Sequence, residues 1–139
     1  MAKVEIPRVG ESRTMVLFDD LTRTQIVMYA GASGDYNPLH SDEVYTTKVA
    51  GYPSVFAHGM LSMGATGRLL TDWFGPTGLT RFGVRFVNQV WPGDTLSATA
   101  TVEAVRQDGD VTLVDLVVST TNQDGKPVVS GTATARINP

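Results

Sequence analysis

Residues 56–76 read FAHGMLSMGATGRLLTDWFGP, and the helix they encode decides the fold. Met60, Met63, Gly64, Gly67 and Leu70 recur at i, i+3, i+4 spacing, and Leu61 and Leu69 widen the stripe. The spacing predicts a helix over Ala57–Phe74, about 18 residues and so ~27 Å long. Gly75-Pro76 stops it. Glycine weakens an exposed helix, so Gly64 and Gly67 call for a backbone lying close against a sheet or a ligand.

Downstream the hydrophobic period changes to that of strands. Thr80–Val87 puts Phe82, Val84 and Phe86 on one face and Arg81, Gly83 and Arg85 on the other. The phenylalanine face is expected to pack on the long helix. Trp91-Pro92-Gly93-Asp94 marks a turn. Thr95–Arg106 then alternates Leu96, Ala98, Ala100, Val102 and Ala104 with Thr95, Ser97, Thr99, Thr101 and Glu103. Asp108-Gly109 signals a hairpin at Gln107–Asp110, with Val111–Thr121 as the partner strand. Asp124-Gly125 turns the chain again within Asn122–Lys126, and Pro127–Ile137 is the last strand.

Upstream of the helix, Arg13–Phe18 is β-prone. Asp20 or Thr22 then caps a short helix, Arg23–Ala30, and a helical turn is expected around Asp42–Val49. The expected order is strand, helix, loop, long helix and a four-stranded antiparallel meander. That is an α+β architecture, a five-stranded antiparallel sheet wrapped around one long central helix. No internal repeat is visible, and residues 1–139 read as a single domain.

Composition narrows the function. The net charge of −3 argues against a nucleic-acid partner, because phosphate binding needs a basic surface. The absence of cysteine excludes thiolate chemistry and disulfides. No apolar run approaches the roughly 20 residues of a membrane span, and the N-terminal residues carry no apolar signal core. A cytoplasmic location is the expectation. Two histidines without clustered carboxylates beside them argue against a metal site, and no other cofactor is called for.

Both histidines lie in or beside one segment. Gly34-Asp-Tyr-Asn-Pro-Leu-His40 is a turn sequence: Pro38 keeps Asn37 out of the helical region, and Gly34 admits positive φ. A turn here can fold Asp35 and His40 toward one point as an acid/base pair. It can equally be a turn capped by Asp35 and Asn37, with His40 on the surface. His58 and Gly59 sit where the long helix begins. The first amides of a helix are unpaired and partly positive. Gly59 has no side chain in the way, so its N–H is a candidate oxyanion donor. His58 reads as a hydrogen-bonding residue at the helix start. Ser62 faces either a pocket or the neighbouring strand. Met63 and Leu70 are candidates for a pocket lining, or simply core.

The run Tyr29-Ala-Gly-Ala-Ser-Gly-Asp-Tyr-Asn-Pro-Leu-His40, followed by Ala57-His-Gly-Met60, resembles the hydratase-2 motif of MaoC-like dehydratases and (R)-specific enoyl-CoA hydratases. Thr71, Trp73 and Gly75, with Val84-Arg85-Phe86, are similar to the catalytic B subunit of the mycobacterial fatty-acid-synthase-II dehydratase. The resemblance implies a hot-dog fold. It implies a thioester substrate on CoA or acyl carrier protein, and reversible addition of water to a trans-2-enoyl group. Asp35 and His40 would hold the reacting water, Gly59 the thioester oxygen, and Asn37 the turn or the water. His58, Ser62, Met63 and Leu70 would stand around the substrate. It further implies a dimer, with a second copy or a paralogous hot-dog subunit. A thioesterase of the same fold, or a subunit active only with a partner, is the alternative.

Overall fold

Five strands form one antiparallel sheet in the computed structural model, which describes residues 3–139. The elements run β1 (Ser12–Phe18), α1 (Arg23–Ser33), a 3-10 turn (Pro38–His40), a π-helical turn (Tyr45–Val49), α2 (Gly59–Phe74), β2 (Leu79–Phe86), β3 (Leu96–Asp108), β4 (Val111–Thr121) and β5 (Pro127–Ile137). The spatial order is β1-β3-β4-β5-β2. The expected four-stranded meander is therefore corrected: β3, β4 and β5 follow one another, but β2 lies at the far edge, beside β5.

The segment between β2 and β3 explains this. Val87 N–H bonds Val128 O at 2.8 Å at the start of β5, and Gly93 N–H bonds Leu21 O at 2.7 Å just beyond β1. The chain thus crosses the end of the sheet before it enters β3. β1 and β2 are left as the two edges.

Helix α2 packs across this sheet, and the face it buries differs from the one expected. Ser62, Ala65, Thr66, Leu69, Leu70, Trp73 and Phe74 are buried, whereas Met60 and Gly64 are exposed. The apolar template misses the true face because two of its members are hydroxyl residues. Thr66 Oγ1 donates to Ser62 O at 2.8 Å and pairs with Thr120 Oγ1 of β4 at 2.6 Å, so the buried polar atoms are satisfied.

The glycines on α2 differ in purpose. A Cβ at Gly59 would meet the Phe86 ring at 3.1 Å and one at Gly67 the Phe82 ring at 3.4 Å, but one at Gly64 would meet nothing within 4 Å. Of the close approach to a sheet or a ligand expected of Gly64 and Gly67, the approach to the sheet holds at Gly67, against β2, and not at Gly64.

Other boundaries shift for local reasons. Helix α2 starts at Gly59, because His58 is extended (φ −61, ψ 136). Helix α1 continues three residues beyond Ala30, to Gly34 in the left-handed region (φ 76). Its start is fixed by a capping box. Thr22 Oγ1 accepts from Gln25 N–H at 3.0 Å, and the Gln25 side chain accepts from Thr22 N–H at 2.9 Å. A bulge between Val102 and Ala104 turns β3 over, so Val105 rather than Ala104 packs on the core.

Candidate active site

The left-handed Gly34 ends α1 and releases the chain into a tight turn that its own side chains hold. Asp35 N–H bonds Ser33 Oγ at 3.1 Å, Asn37 N–H bonds Asp35 Oδ1 at 3.2 Å, and Leu39 N–H bonds Asn37 Oδ1 at 3.0 Å. The π-helical turn braces it from behind. Thr46 is fully buried, and its Oγ1 lies 3.1 Å from Pro38 O and 2.7 Å from Asp42 O. Asp35 and Asn37 thus cap the turn, and the capped turn still carries Asp35 toward the histidines, but His40 is half-buried and not a surface residue. Asp35, His40 and His58 each place a ligand-type atom within 4.8 Å of the others.

The backbone carbonyl of Phe56 accepts from His40 at Nδ1, at 2.6 Å. A carbonyl only accepts, so Nδ1 carries the proton and the neutral ring keeps a bare Nε2. Phe56 N–H is in turn tied to Leu39 O at 3.2 Å, so the two segments are stitched together beside the site. This anchor was illegible in sequence, because it is a backbone atom.

His58 is 2% exposed. Its Nε2 donates to Asp35 O at 3.0 Å, and its Nδ1 is buried without a partner among the described residues. It is a hydrogen-bonding residue, as expected, but it reaches across to Asp35 and does not cap its own helix. Its ring stacks on that of His40, centroids 3.7 Å apart and planes 24° from parallel. Tyr29 meets the other side edge-on at 4.7 Å. Burial pushes the His58 imidazole below its ordinary value, against the opposing effect of the Asp35 carbonyl.

Asp35, His40 and His58 have the residue types of a metal site, but their geometry does not suit one. Ring nitrogens bind metal in the plane of the ring, at about 2.0–2.1 Å. Two near-parallel rings at this spacing do not hold a point that lies in both ring planes at that bond length.

Beside this group, Gly59 opens α2. No side chain caps the helix, and among the described residues nothing accepts from Gly59 N–H. Gly59 and Ser62 wall a cavity of about 250 Å³ together with Phe56, Ala57, Phe86 and Asn88. Phe56 joins the two halves of the site, holding His40 through its carbonyl and bounding the cavity. Of the expected substrate contacts Ser62 is on this wall, whereas Asn37, His58, Met63 and Leu70 are not. Leu70 has no exposure and belongs to the core under the sheet. Met63 is half-buried and not on the cavity wall.

Residues 6–124 match the model of the MaoC like domain. The chain belongs to the MaoC-like family. It is similar to 3-hydroxyacyl-thioester dehydratase Y of Mycobacterium tuberculosis, with 39% identity over 79 residues, 55% of this chain and 27% of that relative's length. Two solved structures are similar over nearly the whole chain. The (R)-hydratase from A. caviae involved in PHA biosynthesis is 25% identical, with a TM-score of 0.81 over 96% of this chain and 98% of that one. The ChsH1-ChsH2 complex from Mycobacterium tuberculosis is 25% identical, with a TM-score of 0.79 over 96% and 100%. The fold of this MaoC-like chain is accordingly the hot dog, one five-stranded antiparallel sheet around a 16-residue helix. Among the described residues no helix is long and apolar enough to cross a membrane.

Proposed function

We propose that this MaoC-like chain adds water reversibly to the double bond of trans-2-enoyl thioesters, giving (R)-3-hydroxyacyl thioesters. The observation that carries the reading is His40, its Nε2 left bare by the bond to Phe56 O, grouped with the Asp35 carboxylate and next to a helix start whose first N–H has no acceptor among the described residues.

Water held between Asp35 and His40 gives a proton to this pair as its oxygen bonds to C3. The pair returns a proton to C2, and dehydration runs the same steps backwards. The hydrogen bond to Phe56 O steadies His40 when its ring is protonated. Negative charge gathers on the thioester oxygen during addition. Gly59 N–H, at the positive end of α2, is the donor for it. Asn37 keeps the turn closed, and Ser62 meets substrate from the cavity wall.

CoA or acyl carrier protein carries the acyl group. A second hot-dog subunit, identical or paralogous, covers the edge at β2, where Phe86 and Val87 are left exposed. A cytoplasmic location goes with this role.

The test is hydration of crotonyl-CoA by the purified chain, followed at the enoyl-thioester absorbance with free thiol assayed in parallel. Wild type should consume the enoyl group and release no thiol. Asp35→Asn and His40→Gln should each lose about 10²–10⁴ in rate while staying folded. Asn can still accept from Asn37 N–H, so the turn should survive the first change. Full activity in both variants would refute the assignment.

A further inference from the structure

We infer that His58 is a positioning residue. From behind the candidate site it clamps the Asp35 carbonyl with one ring edge and backs the His40 ring with its flat face. It thereby sets the spacing of the two reacting side chains without touching substrate. Its kinetic consequence rests on the hydration reading above, whereas its structural consequence does not.

Asp35 lies just past the end of α1, where helical hydrogen bonds have ceased. Among the described residues the His58 ring is the group that bonds its carbonyl, at 3.0 Å. The other side of the same turn is held by His40, through Phe56 O. The contact between the two rings, 3.7 Å between centroids, therefore ties together the two ends of the segment that carries both reacting groups.

Histidine suits this position because it combines two properties that no other side chain offers at this size. It donates from the ring edge at a fixed distance, and it presents a flat surface for stacking. Phenylalanine keeps the surface and loses the donor. Glutamine keeps a donor at nearly the same reach and loses the surface.

The geometry also keeps His58 neutral. With Nε2 donating to Asp35 O, Nδ1 is a bare acceptor, buried and without a partner among the described residues. Protonating it would create a buried N–H with nothing to accept from it. It would also set a charge 3.7 Å from a ring that must itself take up a proton. His58 thus backs His40, the partly exposed ring, as an uncharged support.

The test uses the full chain, crotonyl-CoA, and His58→Phe and His58→Gln, reading kcat, KM and the backbone NMR resonances of residues 35–40. Expected for His58→Phe is a fall in kcat of about 10- to 100-fold, the scale of an ångström of misplacement. KM should stay within about twofold, and the loop resonances should move. His58→Gln should return the loop resonances to their wild-type positions and recover kcat to within about tenfold of wild type.

Equal losses in the two variants, or loop resonances that neither variant moves, would overturn the role. Should His58→Phe fail to fold, His58→Ala replaces it: loop resonances displaced in His58→Ala and restored in His58→Gln support the clamp, and resonances that neither variant moves refute it. If the wild-type chain leaves crotonyl-CoA untouched, yet the loop moves in His58→Phe and returns in His58→Gln, the clamp stands and the hydration reading fails.

Discussion

Gly59 lies beneath the ring of Phe86, so close that a Cβ on it would stand 3.1 Å from Phe86 Cδ1 and 3.2 Å from Cε1. Phe86 is 53% exposed, so its ring can give way by the few tenths of an ångström required. Alanine also favours helix over glycine, by up to about 1 kcal/mol. Gly59→Ala should therefore leave stability within about 1 kcal/mol of wild type. It should still cut kcat/KM for crotonyl-CoA by about tenfold or more, because the methyl group and the displaced ring both intrude on the cavity walled by these residues. Denaturant unfolding beside the absorbance assay checks both halves. Unchanged kcat/KM would remove Gly59 from the site.

Gly131 gives the opposite outcome from the same kind of change. A Cβ there would come within 2.0 Å of Gly83 O and 2.8 Å of Val84 Cα. These are backbone atoms of β2 in the middle of its ladder with β5, and they cannot swing aside. Gly131→Ala should cost more than about 4 kcal/mol and yield little folded protein. If the variant purifies with a wild-type melting temperature, the β2–β5 register described here is wrong.

Much of this was legible in the sequence, for reasons that particular residues make clear. β4 and β5 were bounded at their observed ends because Asp108-Gly109 and Asp124-Gly125 mark the turns and period-2 alternation fixes the faces. Asp35 and His40 were legible as a pair because a turn of that spacing brings its ends together. The position of β2 was not. Turn residues report local reversals, and the segment 87–95 is held by Val128, Ala57 and Leu21, contacts distant in sequence. The buried face of α2 was misread because Ser62 and Thr66 look exposed in a hydrophobicity pattern. The His40 anchor, Phe56 O, has no side-chain signature, and the stack of His58 on His40 joins residues 18 apart through loops of no fixed path.

The burial of His58 carries a consequence for stability. Its pKa in the folded chain is held below the ordinary 6.5, chiefly by desolvation. Below about pH 6.5 the unfolded chain takes up a proton at this position and the native chain does not, so stability falls as pH falls. The loss continues down to the folded-state value and cannot exceed about 1.4 kcal/mol per pH unit for one proton. His58→Gln should flatten this part of the profile between pH 7 and pH 5. Urea midpoints across that range provide the measurement. Parallel profiles for the two proteins would show that His58 titrates normally in the fold.

The hydroxyl pair between α2 and β4 should behave as a coupled unit. Thr66 Oγ1 donates to Ser62 O, so the 2.6 Å contact with Thr120 Oγ1 places the Thr120 hydroxyl as donor to Thr66. Both side chains are fully buried. Thr66→Val leaves the Thr120 hydroxyl without a partner, a loss of about 1–3 kcal/mol, and Thr120→Val leaves Thr66 with its bond to Ser62 O and so costs less. The double replacement removes both polar groups and keeps the shape. Its cost should fall short of the sum of the single ones, with a coupling of about 0.5 kcal/mol or more in a double-mutant cycle. Additive losses would mean that the two hydroxyls do not bond across the helix–sheet interface, and the face of α2 assigned to the sheet would then need revision.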